Sequence, residues 1–188
     1  KVEALDYETL ASLIDQDALK AFRDRALSPN HPVTRGTAQN PDIYFQTREA
    51  SNPFYTDVVT AVEEYMNKLG ELTGRKHGLF EYYGDPEAKH IIVSMGSVNQ
   101  TIEETIDYLN KKGEKYGLVK VHLFRPFSIK HLLNVIPKTV ERIAVLDRTK
   151  EPGAAGEPLY LDVRNAYYGV ENAPLIVGGR FGLGSKDT

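Results

Sequence analysis

Residues 90–100 read His90-Ile91-Ile92-Val93-Ser94-Met95-Gly96-Ser97-Val98-Asn99-Gln100. Ile91, Ile92 and Val93 are consecutive β-branched residues, the pattern of a short strand buried on both faces. Gly96 turns the chain. Ser97, followed by Gln100 at capping-box spacing, is expected to open a helix. That helix is expected to bury Val98, Ile102, Ile106 and Leu109 and to stop near Gly113. One strand-turn-helix unit is therefore legible in a single stretch, and the rest of the fold follows by asking whether it recurs.

It does recur. Residues 118–124 predict a second strand, and Ser128 starts a second helix carrying Ile129, Leu132, Leu133 and Ile136 until Pro137 stops it. Residues 142–146 predict a third strand. A Gly/Pro-rich loop leads to Pro158 at a helix start, with Leu159, Val163 and Tyr167 on one face. Residues 175–177 predict a fourth strand, and glycines follow it. Residues 79–83 fit a short edge strand. Strand–helix alternation of this kind predicts an α/β domain in three α/β/α layers, with a mostly parallel sheet.

Upstream the pattern is different. Residues 1–27 predict two short helices, with Leu10, Leu13 and Ile14 on one stripe and Leu19, Phe22 and Ala26 on another. Residues 33–53 show no period and read as irregular. Residues 57–72 predict a helix with Val58, Val62, Tyr65, Met66 and Leu69 on one face, closed by Gly74.

Composition narrows the chemistry. The 188 residues are 41% hydrophobic and 26% charged, with net charge −3. That is ordinary for a soluble domain and offers no broad basic field for nucleic acid. No apolar run is long enough for a membrane span. The absence of cysteine removes disulfides, thiol nucleophiles, Cys-ligated zinc and all-Cys iron–sulfur ligation from this chain, and fits a cytoplasmic protein. The chain opens on Lys1-Val2-Glu3 without Met or a signal pattern and ends at Thr188; both ends are expected to be cuts from the interior of a larger polypeptide.

In a parallel sheet, ligands and partners gather beyond the carboxyl ends of the strands. Those ends carry the cations Arg125, Arg148, Lys150 and Arg180 and the anions Asp147 and Glu151. They fit a crevice for an anionic group or a charged docking edge, but ordinary loop ion pairs are the favoured reading, because exposed pairs are common and individually weak. Ser97 lacks the G-x-S-x-G setting of a nucleophile, and a helix cap accounts for it. His31, His77, His90, His122 and His131 form no metal-ligand spacing, so no metal site is expected; His122, within a predicted strand, reads as a buried, satisfied histidine. Glu103 and Glu104 are adjacent on a helix, do not face each other, and read as solvated surface. The last stretch, Gly178-Gly179-Arg180-Phe181-Gly182-Leu183-Gly184-Ser185-Lys186, is a glycine turn after a strand. It suits backbone contact with a phosphate or a hinge between domains, and it lacks the Walker A spacing.

Several of these runs together resemble pyruvate:ferredoxin (flavodoxin) oxidoreductase. They are Arg35-Gly36-Thr37-Ala38-Gln39-Asn40-Pro41-Asp42, Met95-Gly96-Ser97, Leu123-Phe124-Arg125-Pro126-Phe127, Val145-Leu146-Asp147-Arg148-Thr149-Lys150-Glu151-Pro152-Gly153 and Gly179-Arg180-Phe181-Gly182-Leu183-Gly184-Ser185-Lys186. The likeness runs in order along nearly the whole chain, and the Leu-Asp-Arg-Thr-Lys-Glu-Pro-Gly run is the most specific part.

The resemblance implies an enzyme that converts pyruvate and coenzyme A to acetyl-CoA and CO2 on thiamine diphosphate with Mg2+. Electrons pass through [4Fe-4S] clusters to ferredoxin or flavodoxin, in a cytoplasmic homodimer. It implies that residues 1–76 are the end of a preceding domain and a linker. Residues 77–180 become a domain similar to the carboxy-terminal domain of transketolase, and residues 181–188 the start of a coenzyme A-binding domain. By position, Gly182, Leu183, Gly184, Ser185 and Lys186 match the segment that contacts coenzyme A. The family's thiamine-contacting glutamate and its pyruvate-contacting threonine and arginine lie upstream, so no catalytic residue is assigned here. The chain is expected to dock with other domains of its own polypeptide, to be inactive alone and to hold no cofactor by itself. A small-ligand module binding coenzyme A or a nucleotide is the alternative.

Overall fold

The computed structural model describes residues 4–36 and 38–184. The chain divides into two compact units, residues 1–53 and 54–188. The first holds α1 (Tyr7–Ser12), α2 (Gln16–Asp24) and α3 (Pro41–Glu49). Asp6 caps α1 by accepting from the Thr9 N–H at 2.8 Å, and Asp15 caps α2 by accepting from Ala18 N–H at 2.9 Å. The two short helices expected in residues 1–27 are thus present. Helix α3 falls in the stretch expected to be irregular. Its signals are Asn40 before Pro41 at the first turn, with Asp42 beside the N-terminus; Ile43, Tyr44 and Phe45 run consecutively and make no single stripe.

The helix expected over residues 57–72 is α4 (Asn52–Thr73), longer at its N-terminus. Within the second unit a five-stranded sheet follows: β1 (Phe80–Gly84), β2 (His90–Ser94), β3 (Tyr116–Val121), β4 (Arg142–Asp147) and β5 (Leu175–Arg180). The order is β1-β3-β2-β4-β5. β1 pairs antiparallel to β3, and all other pairs are parallel. The mostly parallel α/β sheet and its edge strand are as expected. The connecting helices are α5 (Val98–Asn110), α6 (Ile129–Val135) and α7 (Pro158–Ala166).

Alternation along the strands assigns residues to faces. One face carries Phe80, Ile91, Val93, Val119, Val121, Ile143 and Val145, fully or nearly fully buried against Leu132 of α6 and Leu159 and Val163 of α7. Val59, Val62 and Met66 of α4 pack on this same cluster. The other face has a smaller cluster, Leu118 under Ile102 and Ile106 of α5, with Tyr83, Ile92 and Leu146 beside it.

Gly117 is required by a close approach. Tyr82 crosses from β1 over β3 and donates its hydroxyl to the carbonyl of Asp85; a Cβ on Gly117 would overlap the Tyr82 ring. Burial first, then the Asp85 carboxylate, pushes the Tyr82 phenol up to about 12.

Three local expectations change. Ser97 has helical dihedrals (φ −65, ψ −24) and makes no side-chain cap. The capping box needs an extended residue at that point, and after the left-handed Gly96 the chain enters the helix too early for it. The buried polar pair is instead Ser94 Oγ donating to Asn99 Oδ1 at 2.6 Å. His122 lies past the end of β3 and is exposed, 2.8 Å from the Gly78 carbonyl through Nδ1. Glu103 is only partly solvated: it and Glu81 both bind the ammonium of Lys120, which rises from β3 beneath α5, each at 2.7 Å. Glu104 is exposed as expected.

Truncating Leu159, fully buried, to Ala is expected to cost roughly 2–5 kcal/mol in urea unfolding. Gly117→Ala is expected to lose about 1–3 kcal/mol by displacing Tyr82, with loss of the Tyr82 fluorescence environment as a second readout.

Candidate functional site

The site is built where β4 and β5 end. Asp147, the last residue of β4, is 1% exposed. Its carboxylate accepts from the N–H of Leu159 at 2.9 Å and of Tyr160 at 3.1 Å, the first turn of α7. α7 has no side-chain cap of its own at Glu157, so Asp147 supplies one from ten residues upstream. The helix N-terminus favours that negative charge. Burial pushes the Asp147 carboxyl above its ordinary pKa, and the two backbone donors pull against that.

Glu157 is 3% exposed. One carboxylate oxygen accepts from the Glu151 N–H at 2.7 Å and the other meets Arg180 at the end of β5. Burial works to raise its pKa, but the Glu151 N–H and Arg180 outweigh it, and the carboxyl sits below its ordinary value. The loop between β4 and α7 is thus closed on Glu157. Beside it lies a cavity of about 230 Å³ lined by Gly156, Glu157, Tyr160, Gly178, Gly179 and Arg180. That is below the 300–1,000 Å³ usual for a whole small-molecule site, so it accommodates part of a ligand at most.

The expected cations come together only in part. Arg148 is exposed, and its Nε donates to the Gly182 carbonyl at 3.1 Å. Gly182 has φ +56, and a Cβ there would come within 3.0 Å of Arg148 Nε. Arg125 sits apart, paired with Asp162 of α7 at 2.6 Å and stacked over Phe124. Lys150 and Glu151 are exposed. The reading of Asp147 as an open-crevice anion is therefore corrected: it is buried under α7, because a carboxylate at the end of β4 meets the donors of the helix that returns over it. Internal pairing describes most of the cluster.

Glu157 was not singled out from the sequence; its position just before Pro158 at the helix start was the available signal. Asp162 was missed for want of any. Of the glycine turn, Gly182 and Gly184 are partly exposed and Leu183 is 53% exposed. Ser185 and Lys186 lie outside the described residues. No group of His, Cys, Asp and Glu able to hold a metal occurs among the described residues. No described helix is long and apolar enough to cross a membrane.

Residues 88–186 match the family described as pyruvate:ferredoxin oxidoreductase core domain II. Residues 1–67 match pyruvate flavodoxin/ferredoxin oxidoreductase, thiamine diphosphate-binding. The chain is similar to pyruvate-flavodoxin oxidoreductase of Enterobacter agglomerans, 62% identical over 187 residues, and to pyruvate:ferredoxin oxidoreductase of Moorella thermoacetica, 57% identical over 187 residues. In both cases all of this chain is covered but only 16% of the relative. A solved 2-oxoglutarate:ferredoxin oxidoreductase of Magnetococcus marinus aligns over 58% of this chain and 17% of its own, with TM-score 0.38 and 15% identity, too distant to bear on the site.

Neutralising Glu157 tests the loop closure. Its lowered pKa means that its stabilisation is present above the ordinary value of 4.5 and is lost as pH falls through the lower folded value. Glu157→Gln is therefore expected to lower the urea midpoint at pH 7, and the gap to the parent should narrow below pH 4.5. A gap constant across that range would contradict the assignment.

Proposed function

The chain belongs to the pyruvate:ferredoxin oxidoreductase family, and from that premise we propose that it is a docking and scaffolding part of such an enzyme. It spans about 16% of the length of the curated relatives it matches. One observation carries the reading. Helices α1, α2 and α3 are 6, 9 and 9 residues long and bury no residue. Helices this short are marginal in water without an apolar face packed against something. Yet Tyr7 of α1, Phe22 of α2 and Phe45 of α3 are each at least 66% exposed. Such exposed apolar side chains suit packing against further domains of the same polypeptide.

The strand-end charges support the same reading. Asp147, Glu157, Arg180 and Arg125 are engaged within the chain, which suits rigid support more than turnover. In this reading residues 1–76 close a preceding domain and link it to the next. Residues 77–180 form the transketolase-like domain, whose antiparallel edge β1 agrees with that likeness. Residues 181–188 begin a coenzyme A-binding domain. The complete cytoplasmic homodimer oxidises pyruvate on thiamine diphosphate, with Mg2+ and [4Fe-4S] clusters, and passes electrons to ferredoxin or flavodoxin. This chain has no cysteine, so cluster thiolates come from elsewhere.

For coenzyme A, the residues present fit in part. Gly182, by having no side chain, leaves room for the Arg148 side chain that binds its carbonyl, and Arg148 and Lys150 bring cations to the same end of the sheet. We assign Gly182, Leu183, Gly184, Ser185 and Lys186 to the edge of that site, with glycines giving backbone approach and Lys186 a point charge for phosphate.

The isolated chain is expected to give no pyruvate-dependent reduction of a viologen dye; clear turnover would overturn the docking reading. In the full-length enzyme, Lys186→Ala should raise KM for coenzyme A about tenfold, the loss of roughly 1.4 kcal/mol. An unchanged KM would remove Lys186 from the site. Tight saturable binding of coenzyme A or a nucleotide by the isolated chain would favour a self-contained binding module instead.

A further inference from the structure

The sheet is apolar on both faces but covered fully on only one. On β4 and β5, Ile143, Val145 and Ile176 pack beneath α7 and its neighbours. The alternate residues on the same strands point the other way and are also apolar: Ala144, Leu175 and Val177. Leu175 is 62% and Val177 50% exposed. A sheet with one solvated face alternates apolar with polar residues, whereas near-continuous apolar strands belong to sheets covered on both sides. Ile91-Ile92-Val93, Ile143-Ala144-Val145-Leu146 and Leu175-Ile176-Val177 are of the second kind.

The bare strip has the width of one helix. Five strands at about 4.8 Å spacing make a sheet roughly 19 Å across, and a helix with its side chains is about 10 Å wide. Each face therefore takes about two helices. One face has α6 and α7, together with α4; among the described residues the other has only α5, seated over β3 and β1. The bare strip runs from β2 over β4 to β5, and a helix seated between β2 and β4 lies two strand spacings from the midline of β1 and β3, about 9.6 Å from the α5 axis. That matches the usual 8–10 Å between packed helices.

The walls agree. A cavity of about 470 Å³ opens along this strip between Thr105, Ile106 and Leu109 of α5 and Ala144, Leu175 and Val177 of the sheet. The flank of α5 facing it is uncharged, while Glu103 and Asp107 on the opposite flank are committed to Lys120 and Tyr83. Arg142 lines one end of the cavity, where it would meet the carbonyls of a helix C-terminus.

We propose that this strip is the seat of an amphipathic helix supplied by the same polypeptide from outside these residues, lying beside α5 across Ala144, Leu175 and Val177. The inference rests on the docking reading above and names one of its faces. The covering segment has ample chain to come from, since the matched relatives are about six times as long as this chain.

The test uses the full-length enzyme with p-benzoylphenylalanine at position 177 or, separately, at position 105, one on each wall. After irradiation and peptide mapping, both positions should cross-link to one shared segment of the same polypeptide, outside these residues. That segment should carry apolar residues at three- and four-residue spacing. Cross-links joining two copies of the polypeptide, or no protein cross-link at all, would overturn the proposal. Hydroxyl-radical footprinting of the unsubstituted enzyme guards against misfolding: Leu175 and Val177 should be protected several-fold relative to the isolated chain, and equal oxidation in both would overturn it. Neither result touches the viologen test, so this assignment and the docking reading can fail separately.

Discussion

The carboxylate of Asp147 holds the carboxyl edge of the sheet together. It ends β4, sits beneath the first turn of α7 and accepts from two of that helix's free N–H groups. Removing a carboxylate from water is expensive unless its lone pairs are satisfied. Here the helix N-terminus satisfies them, so burial is tolerated and the position of α7 is set. Through α7 the same contact places Leu159 and Val163 over β4 and β5, where they close the larger core.

Consequences spread outward from that point. The loop leaving Asp147 is folded back on Glu157, which ties the Glu151 amide to Arg180 on the neighbouring strand. Arg148, one residue on, reaches the carbonyl of Gly182. The end of β4, the start of α7 and the turn after β5 therefore form one connected polar structure. A glycine turn anchored in this way has a defined conformation at Gly182, which a freely hinging linker would not need. The charges are used to shape backbone.

The exposed apolar surface has the complementary meaning. In a chain that functioned in isolation, the exposed apolar residues of α1–α3 and the second face of β4 and β5 would each forfeit the stabilisation of about 25 cal/mol per Å² of buried apolar area. The curated relatives are about six times longer than this chain, and in the proposed reading those surfaces are interfaces. The two kinds of feature, saturated charges at the strand ends and bare apolar faces elsewhere, both point toward support and docking.

Much of this was readable without coordinates. The runs Ile91-Ile92-Val93 and Ile143-Ala144-Val145, separated by helical periodicity, determine a parallel α/β sheet, because only strands covered on both sides carry such runs. The Leu-Asp-Arg-Thr-Lys-Glu-Pro-Gly run identified the family. Helix α3 was hidden because its apolar residues are consecutive, although Asn40-Pro41-Asp42 announced a helix start. The cap expected of Ser97 failed because dihedral angles at Gly96, invisible to spacing, bring Ser97 into the helix. Above all, the sequence lists charges at strand ends without saying which are buried. Asp147 and Glu157 became structural, and Arg180 became the partner of Glu157, only when α7 and β5 were packed beside β4. Burial and pairing are properties of distance between segments far apart in the chain. For the same reason, only the tertiary structure could show that, among the described residues, no helix covers one half of one sheet face.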